Sequence, residues 1–384
     1  MTVTQVATLM NTVTQELLGK TGLVAENLEN VVDVGVEVFN GSDVDHYVKS
    51  LVNHIGRMIF VDRAYRGGAP SVLMDGWEFG SVLEKVQADM PDASENESWN
   101  LVNGQSYDDH VFYQPKVSAK FFNKRVTFEV RQSFTEKQVK ESFSNAQQLN
   151  AFISMIYNAV DRAMTVKTDA LIMRTINNFI AETIYGEYSG GTYTDKSGVR
   201  AVNLLYSYNA ANATALSAAE AVTDPKFIRY AAYIIKLYAT RMAKMSSLFN
   251  MGGKERFTPR DDLKIVMLAD FKDAADVYLQ SDTFHDEFTK LPAAEPVAYW
   301  QGSGTDYSFA NTSAVNVTTS EGNTVNVGGV LAVMFDRNAL GVTNYDRRVT
   351  TQYTASAEFF TNWFKMDAGY FNDFNENFIV FFAA

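Results

Sequence analysis

The 384-residue sequence contains no cysteine. Disulfide scaffolds, thiol catalysis, zinc–cysteine centres and iron–sulfur clusters are therefore excluded. Histidine is also scarce, with four residues, and none lies at a spacing typical of metal ligands. His46 and His54 lie eight positions apart on a predicted helix, and we interpret them as ordinary structural histidines rather than ligands.

Sequence motifs for catalysis are absent too. No phosphate-binding loop, no dinucleotide-binding glycine motif and no G-x-S-x-G nucleophile elbow occurs. Carboxylates recur at short intervals in two places: Asp270, Asp273 and Asp276 on a predicted helix face, and Asp367, Asp373 and Glu376 near the C-terminus. Residues 372–377 resemble a calcium loop only faintly, because the glycine and the ligand spacing are missing, so we predict a solvated turn there. We predict no catalytic residue, no cofactor, no metal site and no enzymatic activity.

The charge is negative, at −12, and no basic run dominates the sequence. This composition argues against a protein that binds nucleic acid by neutralising phosphates. No apolar run approaches the roughly 18 residues that a membrane span needs, and residues 378–382 are predicted to form a buried strand. The N-terminus lacks a charged leader followed by an apolar run, so we expect no secretory signal and synthesis in a cytosol.

The longest regular pattern covers residues 111–185. Val126, Phe128 and Val130 alternate with polar residues, which predicts a half-buried strand. The period then changes to three and four. Capping-box spacings at Thr135 and again at Ser144 predict a short helix, a break and a helix of about 40 residues. A strand arm that leads into so long a helix is unusual in a compact enzyme.

The segments on either side of this pattern are shorter. Three amphipathic pieces before residue 56 indicate an arm that packs against something else. Residues 90–110 are polar and rich in turn-forming residues, and Trp99 lies in their middle, so that it either contacts another chain or folds back on its own domain. Residues 200–300 alternate helix and strand patterns, residues 302–329 predict a polar strand-forming insertion, and the aromatic C-terminal segment predicts strands within a sheet.

In this order, the parts resemble the major capsid proteins of tailed bacteriophages, which have the Hong Kong-ninety-seven-type shell fold. Residues 98–120 are similar to the extended loop of that family and its return strand, and residues 126–134 are similar to the entry to its spine helix. Residues 266–271 and 330–341 are similar to its axial-domain strand and to the strand that returns to the peripheral domain.

The resemblance implies an α+β fold with four parts. These are an N-terminal arm (1–76), an extended β-hairpin loop (77–131), a peripheral domain with the spine helix and C-terminal strands (132–199 and 328–384), and an α/β axial domain with a polar β insertion (200–327). It implies a structural subunit that assembles into hexamers and pentamers and forms an icosahedral or prolate shell around viral DNA. The candidate contacts between subunits are Trp99, Tyr107, Phe112, Tyr113, Lys116, Arg347 and Arg348.

The resemblance also implies partners and a location. The partners are further copies of the chain, a separate scaffolding protein, a portal, a decoration protein and packaged DNA held by non-specific contact, with no membrane. The location is the virion capsid, assembled in the bacterial host cytoplasm. Some relatives form a lysine–asparagine crosslink, for which Lys85 or Lys116 is a conceivable donor, but we do not predict one.

Two alternatives stay open. An encapsulin-like compartment shares the fold but encloses enzymes. A hydrolase or glycan-binding protein of a phage tail would need a carboxylate pair in a cleft, and the sequence offers none with convincing spacing.

Overall fold

The computed structural model describes residues 2–18, 24–40, 46–52, 54–55, 68–74, 83–88, 90–91, 93, 95–106, 110, 112–280, 291–301 and 308–384. These residues form two compact units. The first unit comprises Met1–Glu78, Arg125–Ile172 and Val342–Gly369, and the second comprises Phe79–Lys124, Met173–Gly341 and Tyr370–Ala384. The chain contains both helices and strands, which confirms the predicted α+β class. The four-part domain division stays a prediction.

The first unit packs helices on a four-stranded sheet. Its helices are α1 (Val3–Leu18), α2 (Val31–Asn40), α3 (residues 46–52), α4 (Glu136–Ser142) and the first part of α5 (Ala146–Tyr188). Its strands lie in the order β1 (Leu73–Met74), β11 (Leu340–Thr354), β12 (Phe359–Asn372) and β4 (Arg125–Thr135). Apolar side chains of α1–α3, α5 and β12 share one core, so the N-terminal helices are integral to this unit.

The strand-to-helix pattern is confirmed. Strand β4 alternates exposed and half-buried side chains along its length and pairs with β12. Thr135 then caps α4 through a capping box with Gln138, and α5 follows as a helix of 43 residues. The predicted cap at Ser144 is wrong by one residue, because the backbone N–H of Gln148 donates to Asn145 Oδ1 at 2.8 Å. The Ser144 hydroxyl instead donates to the Gln148 side chain.

The second unit is built on a five-stranded sheet. Its order is β5 (Ala201–Asn203), β13 (Phe378–Phe382), β10 (Val330–Asp336), β6 (Leu263–Leu268) and β7 (Glu295–Val297). Strands β10 and β13 are buried along their whole length, which confirms the buried strand predicted for residues 378–382. Helices of this unit are α6 (Leu204–Asn212), α7 (Ala218–Ala221), α8 (Pro225–Met242), α9 (Ala269–Gln280), α10 (Phe309–Thr312) and the rest of α5.

Two hairpins complete the second unit. Strands β8 (Val315–Thr318) and β9 (Thr324–Val327) pair antiparallel and confirm the predicted polar insertion. Strands β2 (Leu83–Ala88) and β3 (Val117–Phe122) form the base of the predicted extended loop. Near the C-terminus, residues 370–372 continue β12. No helix in the described ranges is long and apolar enough to cross a membrane.

The cap of the long helix can be tested by a matched pair of substitutions. We expect Asn145→Ala to lower the free energy of unfolding by about 0.5–2 kcal/mol, because it leaves an N–H of the first turn without its partner. Ser144→Ala removes a hydroxyl that touches only an exposed side chain, and we expect a smaller loss. Urea unfolding of the unassembled subunit measures both, and a larger loss for Ser144→Ala would contradict the assignment.

Candidate assembly loop and its anchor

The extended loop begins and ends on the β2–β3 hairpin. In its register Lys85 lies directly opposite Lys120, and Leu83 lies opposite Phe122. Cross-strand partners project to the same face of a hairpin, so the two lysines share one face. Val86 and Phe121 belong to the opposite face and are exposed. Two like charges in directly opposed positions are destabilising unless an anion lies between them.

That anion is Asp373, which follows the end of β12. Lys85 Nζ lies 2.8 Å from Asp373 Oδ2, and Lys120 Nζ lies 2.9 Å from Asp373 Oδ1. Each carboxylate oxygen therefore accepts from one lysine of the opposed pair. The Asp373 side chain is 1% exposed, and the backbone N–H of Asn375 also donates to its Oδ1 at 3.2 Å. One buried carboxylate thus joins both strands of the hairpin to the C-terminal segment.

A second carboxylate, Glu376, completes the anchor. Lys85 Nζ lies 2.7 Å from Glu376 Oε1, and Gln87 Nε2 donates to the same oxygen at 2.6 Å. Arg256 Nη2 donates to Gln87 Oε1 at 2.5 Å, and Arg256 Nε lies 3.7 Å from Glu376 Oε1. We call these six side chains the anchor: Lys85, Gln87, Lys120, Arg256, Asp373 and Glu376.

The anchor overturns the prediction of a solvated turn at residues 372–377. Asp373 and Glu376 are both buried. Burial disfavours the charged form and on its own would raise the pKa of Asp373, but the hydrogen bonds from Lys85 and Lys120 outweigh it. The pKa of Asp373 therefore lies below its ordinary value of 3.8. Asp373 and Glu376 thus form ion pairs with the lysines of the hairpin. Among the residues described, no group of three or more metal-ligating side chains occurs.

Beyond the hairpin, the loop presents exposed aromatic side chains. Trp99 is 92% exposed, Phe112 83% and Tyr113 85%, and Leu101 and Val102 are exposed as well. In the structure of one copy, Trp99 therefore does not fold back on its own domain. Large aromatic side chains exposed together are typical of surfaces that another protein covers.

The other predicted contact residues differ in their surroundings. Lys116 is exposed on the same loop, whereas Tyr107 lies outside the described residues. Arg347 is exposed on β11. Arg348 forms ion pairs with Asp346 at 2.7 Å and with Asp367 at 2.6 Å, so its guanidinium is already held within the first unit. Their part in contacts between subunits stays a proposal.

Residues 10–382 match the family described as Phi29-like phage major capsid protein. The chain belongs to this family. The match covers nearly the whole sequence and confirms the resemblance to phage major capsid proteins. It gives no support to an encapsulin or to a tail hydrolase. No curated protein sequence matches this capsid protein.

Solved structures with similar folds include phage capsids. The capsid structure of Staphylococcus phage Andhra shares 11% identity over 84% of this chain and 85% of that chain, with a TM-score of 0.46. The mature capsid of bacteriophage PhiM1 shares 8% identity over 84% and 87%, with a TM-score of 0.42. The capsid of Cyanophage P-SCSP1u shares 12% identity over 84% and 90%, with a TM-score of 0.40. The family assignment rests on the sequence match.

Loss of one anchor lysine should weaken the hairpin of this capsid protein. Removing one partner of a buried ion pair costs about 3–5 kcal/mol. We expect a smaller loss for Lys85→Met, about 1–3 kcal/mol, because Asp373 keeps Lys120 and Glu376 keeps Gln87. Lys116→Met, on the same loop and exposed, is the matched control and should change stability by less than about 0.5 kcal/mol. Urea unfolding of the unassembled subunit compares the two, and equal losses would argue against the anchor.

The anchor should also weaken in acid. Since the pKa of Asp373 is lower in the folded state, its stabilisation is complete above the unfolded pKa of about 3.9 and is lost as the pH falls through the folded pKa. We expect wild type to be more stable than Asp373→Asn between pH 5 and 7, and the difference to shrink below about pH 4. Unfolding of both proteins as a function of pH measures this, and a difference that stayed constant down to the lowest pH would contradict the assignment.

Proposed function

We propose that this capsid protein forms hexamers and pentamers that close an icosahedral or prolate shell, and that the extended loop of each copy lies over a neighbouring copy. The observation that supports the proposal is a loop whose base is held in place and whose far end is exposed. The base of the loop is held by buried ion pairs, while Trp99, Phe112 and Tyr113 remain almost fully exposed. A side chain of this kind buries about 150–250 Å² when it is covered, so a few of them supply much of a specific interface.

Each contact can remain modest because the shell repeats it. In a closed symmetric assembly every copy makes the same contacts, so their free energies sum over many interfaces. We propose Trp99, Tyr107, Phe112, Tyr113 and Lys116 of the loop, with Arg347 and Arg348, as residues of those contacts. Of these, the exposed aromatic residues Trp99, Phe112 and Tyr113 are the strongest candidates, because aromatic side chains dominate binding energy at interfaces.

The remaining partners follow from family membership and charge. We propose a separate scaffolding protein and a portal during assembly in the bacterial host cytoplasm, and a decoration protein on the finished shell. The net charge of −12 favours weak, non-specific contact with packaged DNA, since tight binding of phosphates requires many exposed cations. The role is structural, with no catalytic step and no cofactor.

Removal of the loop tip tests this function. We expect deletion of residues 94–109 to leave a folded subunit, because the anchor and both strands of the hairpin remain. Assembly should fail or yield few closed shells, because the deletion removes Trp99 and the exposed side chains around it. Electron microscopy and size-exclusion chromatography measure assembly, and circular dichroism checks the fold. Normal, stable shells from the shortened protein would show that the loop does not have this role.

A further inference from the structure

The extended loop has a one-sided charge. Residues 86–115 contain six carboxylates and no lysine or arginine: Asp89, Asp92, Glu95, Glu97, Asp108 and Asp109. Trp99, Leu101 and Val102 lie between these carboxylates in the sequence, and their apolar side chains are exposed. By its sequence the loop is therefore acidic, with exposed apolar side chains, and a partner that covers it must bring both cations and apolar groups.

A second segment of the same unit has the opposite composition. Residues 241–260 contain five cations and a single acid, Glu255, although the whole chain has a net charge of −12. The cations are Arg241, Lys244, Lys254, Arg256 and Arg260, of which Arg256 is already held by the anchor. Three apolar side chains of the segment are exposed, namely Met245 at 40%, Leu248 at 61% and Phe257 at 50%. We call residues 241–260 the basic platform.

Backbone hydrogen bonds order the basic platform. Ser246 and Arg256 form an antiparallel bridge in which each N–H donates to the other carbonyl, at 2.9 and 3.1 Å. This register places Met245 opposite Phe257, and directly opposed residues of an antiparallel pair project to one face. Lys244 and Arg241 precede this pair and are exposed. Cations and apolar groups therefore lie close together on an ordered surface.

The platform is also tied to the segment that holds the extended loop. The N–H groups of Met251 and Gly252 both donate to the carbonyl of Phe374 at 3.0 Å, one residue after the anchor carboxylate Asp373. Arg256 itself reaches Gln87 of the hairpin. The base of the loop and the platform are thus fixed to the same short stretch of chain, while the apolar side chains of both stay exposed within one copy.

We infer that the basic platform of one copy receives the acidic, aromatic loop of a neighbouring copy. The occupant is a second copy of this chain, since the loop has the complementary charge and apolar groups, and Trp99 of the loop and Leu248 and Phe257 of the platform are exposed within one copy. Val277 of α9 is also exposed in the second unit, but it lies one helical turn after Asp273, whose charge would repel the loop. The inference rests on the proposed function and adds the surface on which the loop docks.

A charge exchange tests the docking surface. We expect Arg241→Glu with Lys244→Glu, and separately Glu95→Lys with Glu97→Lys, each to lower shell yield about tenfold or more, because each places like charges in contact. The fourfold variant restores opposite charges and should recover most of the yield. Lys226→Glu with Arg229→Glu is the matched control, since these residues have the same spacing at the other end of α8 and should have little effect.

A cross-link provides a second measurement that does not depend on assembly yield. Because the chain has no cysteine, Ser98→Cys with Ser247→Cys introduces the only thiols, one on the loop and one on the platform. A short bis-maleimide reagent should join position 98 of one copy to position 247 of another in assembled particles. Ser98→Cys with Ser356→Cys, which places the second thiol at an exposed site of the first unit, should not cross-link between these positions.

The outcomes separate this inference from the proposed function. Rescue by the fourfold variant together with the 98–247 cross-link supports docking on the platform. If loop charge reversal blocks assembly but platform reversal does not, or if the cross-link forms only at position 356, the docking surface is wrong while the loop retains its role. If neither reversal changes shell yield and no loop cross-link forms, both the inference and the role of the loop fail.

Discussion

The position of the extended loop depends on one buried carboxylate between two opposed lysines. Lys85 and Lys120 would repel each other across the β2–β3 hairpin, and Asp373 would be costly to bury alone. Together they are mutually stabilising, because each lysine pairs with a different oxygen of the same carboxylate. An isolated two-stranded hairpin is marginally stable in water, so the direction of the loop depends on this contact with the C-terminal segment.

A fixed base raises the net binding free energy that the exposed aromatic residues can contribute to a contact between copies. A freely moving loop would lose conformational entropy when a neighbour covers it, and that loss would offset much of the contact energy. The anchor restricts the base of the loop before assembly, so less of the energy gained by covering Trp99 or Phe112 is spent on ordering. In the proposed assembly, the ion pairs and the exposed apolar surface therefore act in the same step.

Much of this fold could be predicted because its signals are local. The change of period between β4 and α5 and the capping box at Thr135 each need only a few adjacent residues. The cap of α5 shows the limit of such signals. Ser144 and Asn145 are both preferred N-cap residues, so the sequence alone does not show which of the two adjacent residues caps α5.

The anchor was missed for a different reason. Asp373 lies more than 250 residues from Lys120 in sequence, so no local pattern connects them. A carboxylate near several polar residues is expected in solvent, because carboxylates are rarely buried without a partner. The loop itself was easier to predict, since residues 90–110 are polar and rich in turn-forming residues, but the sequence left open whether Trp99 is exposed.

The distribution of charge bears on how copies associate. A net charge of −12 makes unspecific approach of two copies unfavourable, which limits aggregation. In the proposed docking, the cations of residues 241–260 attract the acidic loop of the next copy instead. A contact between the loop of one copy and a different surface of the next is heterologous, so it cannot form a closed symmetric pair by exchange of the same patch. Such a contact forms a ring where the rotation between copies closes and an open filament where it does not, and the proposed hexamers and pentamers are rings of this kind.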